Sequence, residues 1–482
     1  MSLLGRAGAL MIPIALALFP VRAAEAHGEL KSSVPASKSR LNAVPREIRL
    51  TFNEAPELAF TQIELIGPDS VSILLGAPSA VVDSARVVTA EIRAAISKAG
   101  VYRVLWRIAG RDGHPVRGSF IFTITEGASG LGVPRDSVSV VAPLIQANDS
   151  AAAARTEILT PDEAAAPDPS QDDFFDASSP VYVAIRWLSF TALTIVLGAV
   201  AFALLVVRLF EQRRGNAVGR VASQARARAA NIGLAAALIL MLAAFARLHA
   251  QSVALAGLGG DGTGGVIGRV LTQTVWGTGW LVQIAAIVVA AIGFFLARRE
   301  RAVGWTIAAV GALALAVTPA LTGHAAALPS LAPIAIIADA VHVASAGGWL
   351  GSLLLVLVAG MPAALAPGTG DRDVADLVNA FSTIALRFAA ALGATGLISA
   401  WMQVGSFPAL WGSGYGRTLL LKVAVASAVL AIGAYNWRRV RPALGEKAGA
   451  ALLRRSAAAE LAIGAAVLVI TAALVGMETP RG

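Results

Sequence analysis

The sequence predicts two folds in one chain: an all-β sandwich of immunoglobulin-like or cupredoxin-like type, followed by an all-α bundle of eight transmembrane helices. Three observations support this. Short segments of alternating apolar and polar residues fill the N-terminal part. Eight apolar runs, each near the ~20 residues that cross a bilayer, follow from position 181. Only 14% of the residues are charged, whereas an average soluble protein has about 25%.

Alternation predicts the strands of the sandwich. Residues 47–53 place Ile48, Leu50 and Phe52 on one face, and residues 100–108 and 118–124 repeat the pattern. Shorter strands are expected at 60–66, 71–75 and 86–92, separated by Gly, Pro, Asn and Asp. About seven short strands within roughly 100 residues are typical of a small β-sandwich.

The composition divides the chain into four segments. Residues 1–26 have the pattern of a secretory signal peptide, because Arg6 precedes an apolar run and 24–26 is a small-x-small cleavage site. Residues 27–126 are the predicted sandwich. Residues 127–179 form an acidic linker rich in Ala, Pro and Ser, which we expect to be disordered. Residues 180–482 are the membrane domain.

Arginine placement predicts the orientation of the membrane domain. The predicted spans are 181–207, 231–254, 279–297, 303–322, 333–360, 382–404, 418–436 and 456–477. Arginines cluster after the first, third and seventh spans, and the positive-inside rule assigns those loops to the cytoplasm. We therefore expect a multi-pass protein of the bacterial inner membrane with its N-terminal domain in the periplasm. The net charge of +9 then reflects orientation and not nucleic-acid binding.

A metal site is predicted at the start of the secreted chain. Without cysteine, thiolate zinc sites and Cys-ligated iron–sulfur clusters are excluded. Cleavage after Ala26 would make His27 the first residue, and its amine and ring nitrogens both prefer Cu(II) among divalent ions. Asp112 and His114 would share a face of an extended segment. Their spacing alone favours an ordinary turn, and the terminal histidine favours a metal site.

The membrane domain contains further candidate ligands. His249, His324 and His342 all fall in the outer half of the predicted spans. Asp339 lies three residues before His342 and shares its helix face. Ionisable groups in lipid are costly, so they are functional hypotheses. Met241 and Met402 are weaker candidates for Cu(I), because packing accounts for most methionines in such helices.

Residues 27–125 resemble the copper-resistance C family, which consists of periplasmic copper-binding β-sandwiches. The matching positions are His27 and the segments 31–35, 50–54, 102–106 and 112–118. The resemblance implies Cu(II) bound by the amine and imidazole of His27, by Asp112 and by His114. Glu54 matches a family position near the copper but outside its coordination. No methionine occurs between His27 and Glu126, so the Met-rich Cu(I) site of some members is expected to be absent.

The membrane half is similar to the copper-resistance D family, which is often joined to the C family in one chain. The matching positions are 322–325, 339–342, 347–351, 387–388, 415–416 with Lys422, and Asn436 before Arg438. Together the resemblances imply capture of Cu(II) in the periplasm and copper transport, with import as the direction, in copper homeostasis or resistance. Copper would cross the membrane domain as Cu(I) or Cu(II). The expected partners are copper ions, the lipid bilayer and, as an open option, periplasmic copper chaperones; enzymatic activity and nucleic-acid binding are not expected.

Three alternatives stay open. Histidines on facing helices could ligate a haem, as in a membrane electron carrier or cupric reductase. An oxidative enzyme with a copper-bound terminal histidine is disfavoured, because Asp112 would occupy the position that oxygen needs. Sequestration without transport differs from the main hypothesis only by the absence of flux. The residues themselves leave open the direction, the driving force and the oligomeric state.

Overall fold

The computed structural model describes residues 30–82, 84–96, 98–110, 115–128, 179–256, 263–322, 332–367, 369, 372–440, 447–477 and 479–480. A largely antiparallel β-sandwich occupies the first part and long helices occupy the rest, so the predicted fold class is confirmed. The predicted signal peptide and most of the predicted linker lie outside the described residues. The candidate ligands His27, Asp112, His114 and His324 lie outside them as well.

The described part of the sandwich contains nine strands, two more than the alternation suggested. They are β1 (Leu30–Val34), β2 (Arg40–Leu41), β3 (Glu47–Phe52), β4 (Gln62–Ile66), β5 (Ser72–Ile73), β6 (Ser79–Val81), β7 (Ser84–Glu91), β8 (Gly100–Ala109) and β9 (Pro115–Ile124). One sheet has the order β1-β3-β7-β6 and the other β2-β9-β8-β4-β5. The strands that no predicted segment covers are β1, β2 and β6, and each lies at a sheet edge.

The core lies between the two sheets. Ile48, Leu50 and Phe52 of β3 are buried, as their alternation predicts, and they face Val104 and Trp106 of β8. The Phe52 and Trp106 rings meet edge to face at 5.3 Å. Each large apolar side chain buried in this way contributes about 1.5–3 kcal/mol. The sheets are therefore held together firmly at the end of β8 that precedes residues 111–114.

A glycine fixes the orientation of Trp106. Trp106 pairs with Gly118 across the β8–β9 hairpin, and any β-carbon at position 118 would collide with the indole ring. The indole therefore lies over the neighbouring strand, close to the hairpin loop. This arrangement orders the two strands that enter and leave the loop containing Asp112 and His114.

Ten helices follow the sandwich in the described residues. They are α1 (Pro180–Arg214), α2 (Gly219–Ala256), α3 (Thr263–Gln273), α4 (Val275–Arg298), α5 (Val303–Leu321), α6 (Pro333–Ala364), α7 (Asp373–Val404), α8 (Phe407–Gly412), α9 (Gly414–Arg439) and α10 (Lys447–Leu474). All except α3 and α8 are long and apolar enough to cross a bilayer. These eight helices correspond to the eight predicted spans.

Small residues allow close packing between the spans. Gly198 of α1 lies directly against Gly351 of α6, so a side chain at either position would meet the backbone of the other helix. Gly293 of α4 meets Ala308 of α5 in the same way. Lipid is as apolar as leucine, so helix association in a bilayer depends on this kind of van der Waals fit. The α1–α6 crossing holds α6, which carries the candidate residues Asp339 and His342.

Ion pairs connect the helix ends on the arginine-rich side. Arg214 at the end of α1 lies 3.2 Å from Asp373 and 3.3 Å from Asp376 at the start of α7. Arg226 of α2 pairs with Glu211 of α1 at 2.5 Å, through both carboxylate oxygens. These contacts join α1, α2 and α7 at the end of the bundle that the arginine distribution assigns to the cytoplasm.

Gly351→Ala should destabilise the bundle, because its methyl group would meet the α1 backbone. Overpacking of this kind costs about 1–3 kcal/mol. Gly393→Ala on α7 is the matched control, because a β-carbon there meets nothing within 4 Å. We expect a lower thermal unfolding midpoint for Gly351→Ala in detergent and an unchanged or slightly higher one for Gly393→Ala. Equal midpoints for both variants would contradict the close crossing.

Candidate functional site

The first candidate site lies at the end of the sandwich where β8 and β9 meet. β8 ends at Ala109 and β9 begins at Pro115, so the segment containing Asp112 and His114 connects these two strands. The structure fixes where the segment begins and ends, while the positions of the two side chains lie outside the described residues. His27 is three residues before β1 and is also outside them.

The connection from β3 to β4 passes beside this loop. The Glu57 amide donates a hydrogen bond to the Ala109 carbonyl at 2.8 Å, which joins the connection to the end of β8. Asn53 Oδ1 and Glu54 Oε1 are both buried, and Asn53 Oδ1 has no hydrogen-bond partner among the described atoms. Buried acceptor oxygens without donors are costly unless a cation or water satisfies them. A cation or a water molecule beside Asn53 would supply the missing partner.

The same end of the sandwich packs against the helical bundle. Phe60 and Ala109 are fully buried in an apolar cluster with bundle residues, which we call the junction; its bundle members are Leu248, Leu255, Val266, Val270, Trp276 and Trp280. These residues belong to the end of α2, to α3 and to the start of α4. The hairpin end with the candidate copper ligands therefore faces the membrane domain.

Polar contacts reinforce the junction. Glu57 Oε1 accepts a hydrogen bond from the Val275 amide at 3.0 Å, which places a carboxylate at the N-terminus of α4. Acidic groups are favourable there because the first amides of a helix are unsatisfied and the helix dipole is positive. The Arg269 guanidinium of α3 lies 5.1 Å from the centre of the Phe60 ring. Charged and aromatic groups from both parts thus orient the sandwich on the bundle.

His249 lies beside the junction. It follows Leu248, which is buried in the junction, and its own side chain is exposed at the end of α2. Nearby, Tyr182 of α1 donates a hydrogen bond to Gln251 of α2 at 3.2 Å. Arg186, only 3% exposed, stacks on the Tyr182 ring at 4.3 Å. His249 is therefore a candidate membrane ligand on the sandwich side of the bundle, next to the junction.

A second polar cluster lies between α6, α7 and α9. It contains Asp339 and His342 of α6, Thr395 of α7, and Tyr415 and Lys422 of α9; we call it the α6 cluster. Lys422 and Tyr415 both interact electrostatically with Asp339. Asp339 and His342 lie about 9 and 14 Å from the start of α6, at 1.5 Å per residue. An acidic and a basic group inside the apolar bundle thus lie within electrostatic reach of each other, which lowers the cost of a charge on either.

The hydrogen bond between His342 and Thr395 favours one tautomer of the imidazole ring. Its Nδ1 lies 3.2 Å from the Thr395 hydroxyl oxygen. That hydroxyl donates its proton to the Ala391 carbonyl at 2.7 Å, so it accepts from His342 Nδ1–H. This places the lone pair of the neutral imidazole on Nε2, which is the form that binds a metal.

The methionine candidates differ in location. Met402 of α7 is buried with Ala320 and Ala335, the residues on either side of the segment that contains His324. Met402 is seven residues from Thr395, two helical turns along one face of α7. Met241 instead packs against the large apolar core of the bundle. Met402 therefore shares a helix face with Thr395, the hydrogen-bond partner of His342, whereas Met241 has the position of a packing residue.

Among the described residues, no three His, Asp or Glu side chains come together as a ready metal site. His249 is at the junction and His342 is in the α6 cluster, so these two candidates belong to different places. Two ionisable residues of the bundle were not among the predicted site residues: Lys422 of α9 and Glu460, a buried carboxylate of α10. Both could have been found from the sequence, because each is an ionisable residue inside an otherwise apolar run.

A β-sandwich seated on eight membrane-length helices, with ionisable side chains between the helices, defines a multi-pass membrane protein with an attached extramembrane domain. Comparison with known families gives its relatives. The CopC domain model matches residues 30–125, and the model for the N-terminal domain of copper-resistance-protein-D-like proteins matches 175–332. The model for copper resistance protein D matches 375–474. The chain belongs to the CopC and CopD copper-resistance families, joined in one polypeptide.

Individual relatives show the same division. Copper transport protein CutJ of Bacillus subtilis is 26% identical over 94% of this chain and 75% of its own length. Copper resistance protein C of Escherichia coli is 34% identical over 26% of this chain and 99% of its own length. Copper resistance protein D of Pseudomonas syringae pv. tomato is 29% identical over 60% of this chain and 94% of its own length. The crystal structure of PcoC, a methionine-rich copper resistance protein from Escherichia coli, is 33% identical, covers 21% of this chain and all of that chain, and gives a TM-score of 0.19.

The absence of cysteine allows a direct test of the junction. Leu58 of the sandwich and Gln273 of α3 line one cleft, so cysteines at these two positions should cross-link efficiently with a short bifunctional thiol reagent. Val71→Cys paired with Gln273→Cys is the control, because Val71 is exposed at the opposite end of the sandwich. Equal cross-linking of both pairs in membranes, read as a gel shift, would contradict the docking.

Proposed function

We propose that this protein captures Cu(II) at the hairpin end of the sandwich and passes copper through the junction into the membrane domain. The observation that carries this proposal is the junction itself. It sets the end of β8, five residues before His114, against α2, α3 and α4. A copper ion held by that loop would lie next to the membrane domain and not at the far end of the sandwich.

The capture step rests on the donor set that the family membership suggests. The amine and imidazole of His27, the Asp112 carboxylate and the His114 imidazole together offer three nitrogens and one oxygen. This set suits Cu(II), which favours nitrogen and oxygen ligands in square-planar geometry. The buried oxygens of Asn53 and Glu54 add negative potential beside the loop. Signal-peptide cleavage after Ala26 is part of this proposal, because the chelate needs a free amine.

The transfer step would use residues on the sandwich side of the bundle. His249 lies beside the junction and could accept copper from the loop. Met402, Asp339 and His342 then follow at increasing depth between α6 and α7, and His324 is in the segment next to Met402. We assign these residues, with Met402 as a soft ligand, to an entry route in the outer half of the membrane domain.

Lys422 acts in this route as a counter-ion that copper can replace. In the absence of copper, its ammonium partly balances Asp339. A copper ion next to Asp339 and His342 would repel the ammonium and take over its role as counter-ion. Exchange of one cation for another avoids an isolated charge in the low-dielectric interior, which is the costly alternative.

Import into the cell, in copper homeostasis or resistance, is the direction that we infer. It is supported by the family membership, by the copper-transport name of the Bacillus subtilis relative, and by the arginine-rich connections opposite the sandwich. The corresponding location is the inner membrane, with the sandwich in the periplasm. Cu(I) or Cu(II) would be the transported species, and periplasmic copper chaperones are candidate donors.

His27→Ala should lower Cu(II) affinity by more than about a hundredfold, or about 2.8 kcal/mol, because it removes half of the chelate. Insertion of one alanine before His27 should have a similar effect, because it moves the free amine away from the ring. Copper titration of the full-length protein measures this, with mass spectrometry to establish the mature N-terminus. His342→Ala is the matched control and should leave this affinity unchanged. Unchanged affinity in both N-terminal variants would contradict the proposed site.

His342→Ala should abolish copper accumulation by cells while leaving Cu(II) capture intact, because it removes the only imidazole placed in the α6 cluster among the described residues. Ser427→Ala on α9 is the control, since that hydroxyl is exposed and bonded to its own helix. Cellular copper at low external copper is the measurement. Normal accumulation in His342→Ala would refute the membrane route, whereas capture without accumulation in the unaltered protein would indicate sequestration.

A further inference from the structure

A buried carboxylate lies in the half of the bundle away from the sandwich. Glu460 of α10 is only 3% exposed. It is five residues beyond Arg455, the last arginine before the apolar part of α10, so it lies about 8 Å beyond that arginine along the helix at 1.5 Å per residue. The residues around it in sequence, 457–459 and 461–463, are all Ala, Leu or Ile. Nothing in the entry route described above uses this group.

Two neutral donors hold the carboxylate. Asn436 Nδ2 of α9 donates to Glu460 Oε2 at 3.2 Å, and the Trp349 indole of α6 donates a second hydrogen bond. Among the described residues, no Lys, Arg or His forms an ion pair with Glu460. An ionised carboxylate with only neutral donors is expensive inside a bilayer. The site is therefore stable when Glu460 carries a proton or when a cation is bound beside it.

Both donors lie where the helices depart from α geometry. Trp349 belongs to the π-helical turn Gly347–Gly351, and Asn436 begins the π-helical turn Asn436–Val440. Single π-turns inside α-helices occur frequently at functional sites. In addition, Asn436 Oδ1 is buried and has no hydrogen-bond partner among the described atoms. Two irregular turns and an unused acceptor thus surround one carboxylate.

Charged groups on the surrounding helices are distant or exposed. α10 packs against α1, α6 and α9. On α9 and α10 the nearby titratable groups are exposed: Tyr435, Arg438, Arg439, Arg454 and Arg455. Arg186 and Arg208 lie toward opposite ends of α1, and Asp339, His342 and Lys422 lie in the sandwich-side half. Glu460 is therefore the titratable group at the centre of this site, with arginines between it and the nearer membrane surface.

Helices α6 and α9 connect this site to the α6 cluster. His342, Ser345 and Trp349 recur at spacings of three and four, so they follow one face of α6, and Ser345 is 2% exposed. Lys422 and Asn436 are both on α9, fourteen residues apart. A polar line thus runs from the copper-route residues to Glu460. One carboxylate and one amide oxygen are a poor donor set for Cu(I), so a proton is the cation that fits better.

We propose that Glu460 is a proton-binding site of the membrane domain, loaded from the arginine-rich side and exchanged during copper movement. In the loaded state the proton is on a Glu460 carboxyl oxygen. On release it passes to water on the side to which the site opens, and the carboxylate keeps the bonds from Asn436 and Trp349. The coupling to copper rests on the proposed function, whereas the protonation of Glu460 does not.

Infrared difference spectra of the full-length protein, recorded between mildly acidic and mildly alkaline buffer, test protonation directly. A buried protonated carboxyl gives a carbonyl band that ionised carboxylates lack. We expect this band in the unaltered protein and in Glu300→Gln, which removes an exposed carboxylate on the same side of the bundle. Glu460→Gln should lose the band, and Glu460→Asp should keep it. A titrating band that is unchanged in Glu460→Gln would overturn the assignment, as would its absence from the unaltered protein.

Proteoliposomes with a pH-sensitive dye inside test the coupling, with copper counted separately. We expect copper entry to be accompanied by proton movement in the unaltered protein and in Glu300→Gln, with loss of the copper-dependent proton signal in Glu460→Gln. Copper entry with the same proton signal in Glu460→Gln would refute the coupling and leave the proposed transport standing. If the unaltered protein moves no copper, the transport proposal and the coupling fail together, and the infrared band alone decides the protonation.

Discussion

Transfer of copper from the sandwich to the membrane helices requires the contact between the sandwich and the bundle. Copper held by a tethered domain can pass directly to a membrane site only if the copper-binding end of that domain faces the site. Phe60 and Ala109 are buried against α2, α3 and α4, and Glu57 accepts a hydrogen bond from the first amide of α4. The apolar contacts supply the attraction, and the directional Glu57 bond favours one orientation. His249 at the edge of this contact then becomes the natural first residue of a route.

Inside the bundle, the cost of charge in hydrocarbon organises the polar residues. Asp339 has Lys422 within electrostatic reach, whereas the hydrogen-bond donors to Glu460 among the described residues are neutral. The first arrangement suits exchange of one cation for another, and the second suits gain and loss of a proton. Both depend on helices that pack closely enough to exclude lipid. The contact between Gly198 and Gly351 provides that closeness on the helix that carries Asp339, His342 and Trp349.

Residue periodicity predicted much of the fold, because β3, β8 and β9 alternate strictly and the eight spans are long apolar runs. The edge strands β1, β2 and β6 depend on their neighbours and were not predicted, and α3 and α8 are too short and polar to be read as spans. The junction joins Phe60 to Trp276, more than two hundred positions apart in the sequence, so local patterns carry no information about it. Asp339 and His342 could be found as ionisable residues in an apolar run. Glu460 carried the same signal, but its role depends on Asn436 and Trp349 from two other helices.

The position of bound Cu(II) relative to the bundle shows whether the sandwich delivers copper directly into the membrane domain. The chain has no cysteine, so a single nitroxide can be placed at Thr272→Cys on α3 or at Val71→Cys at the far end of the sandwich. Pulsed electron paramagnetic resonance on the copper-loaded, full-length protein then measures the distance from Cu(II) to each label. We expect Cu(II) to be closer to the label at position 272 than to the label at position 71. A copper ion closer to position 71 would place the metal on the side of the sandwich that faces away from the bundle, and would contradict direct delivery into the membrane domain.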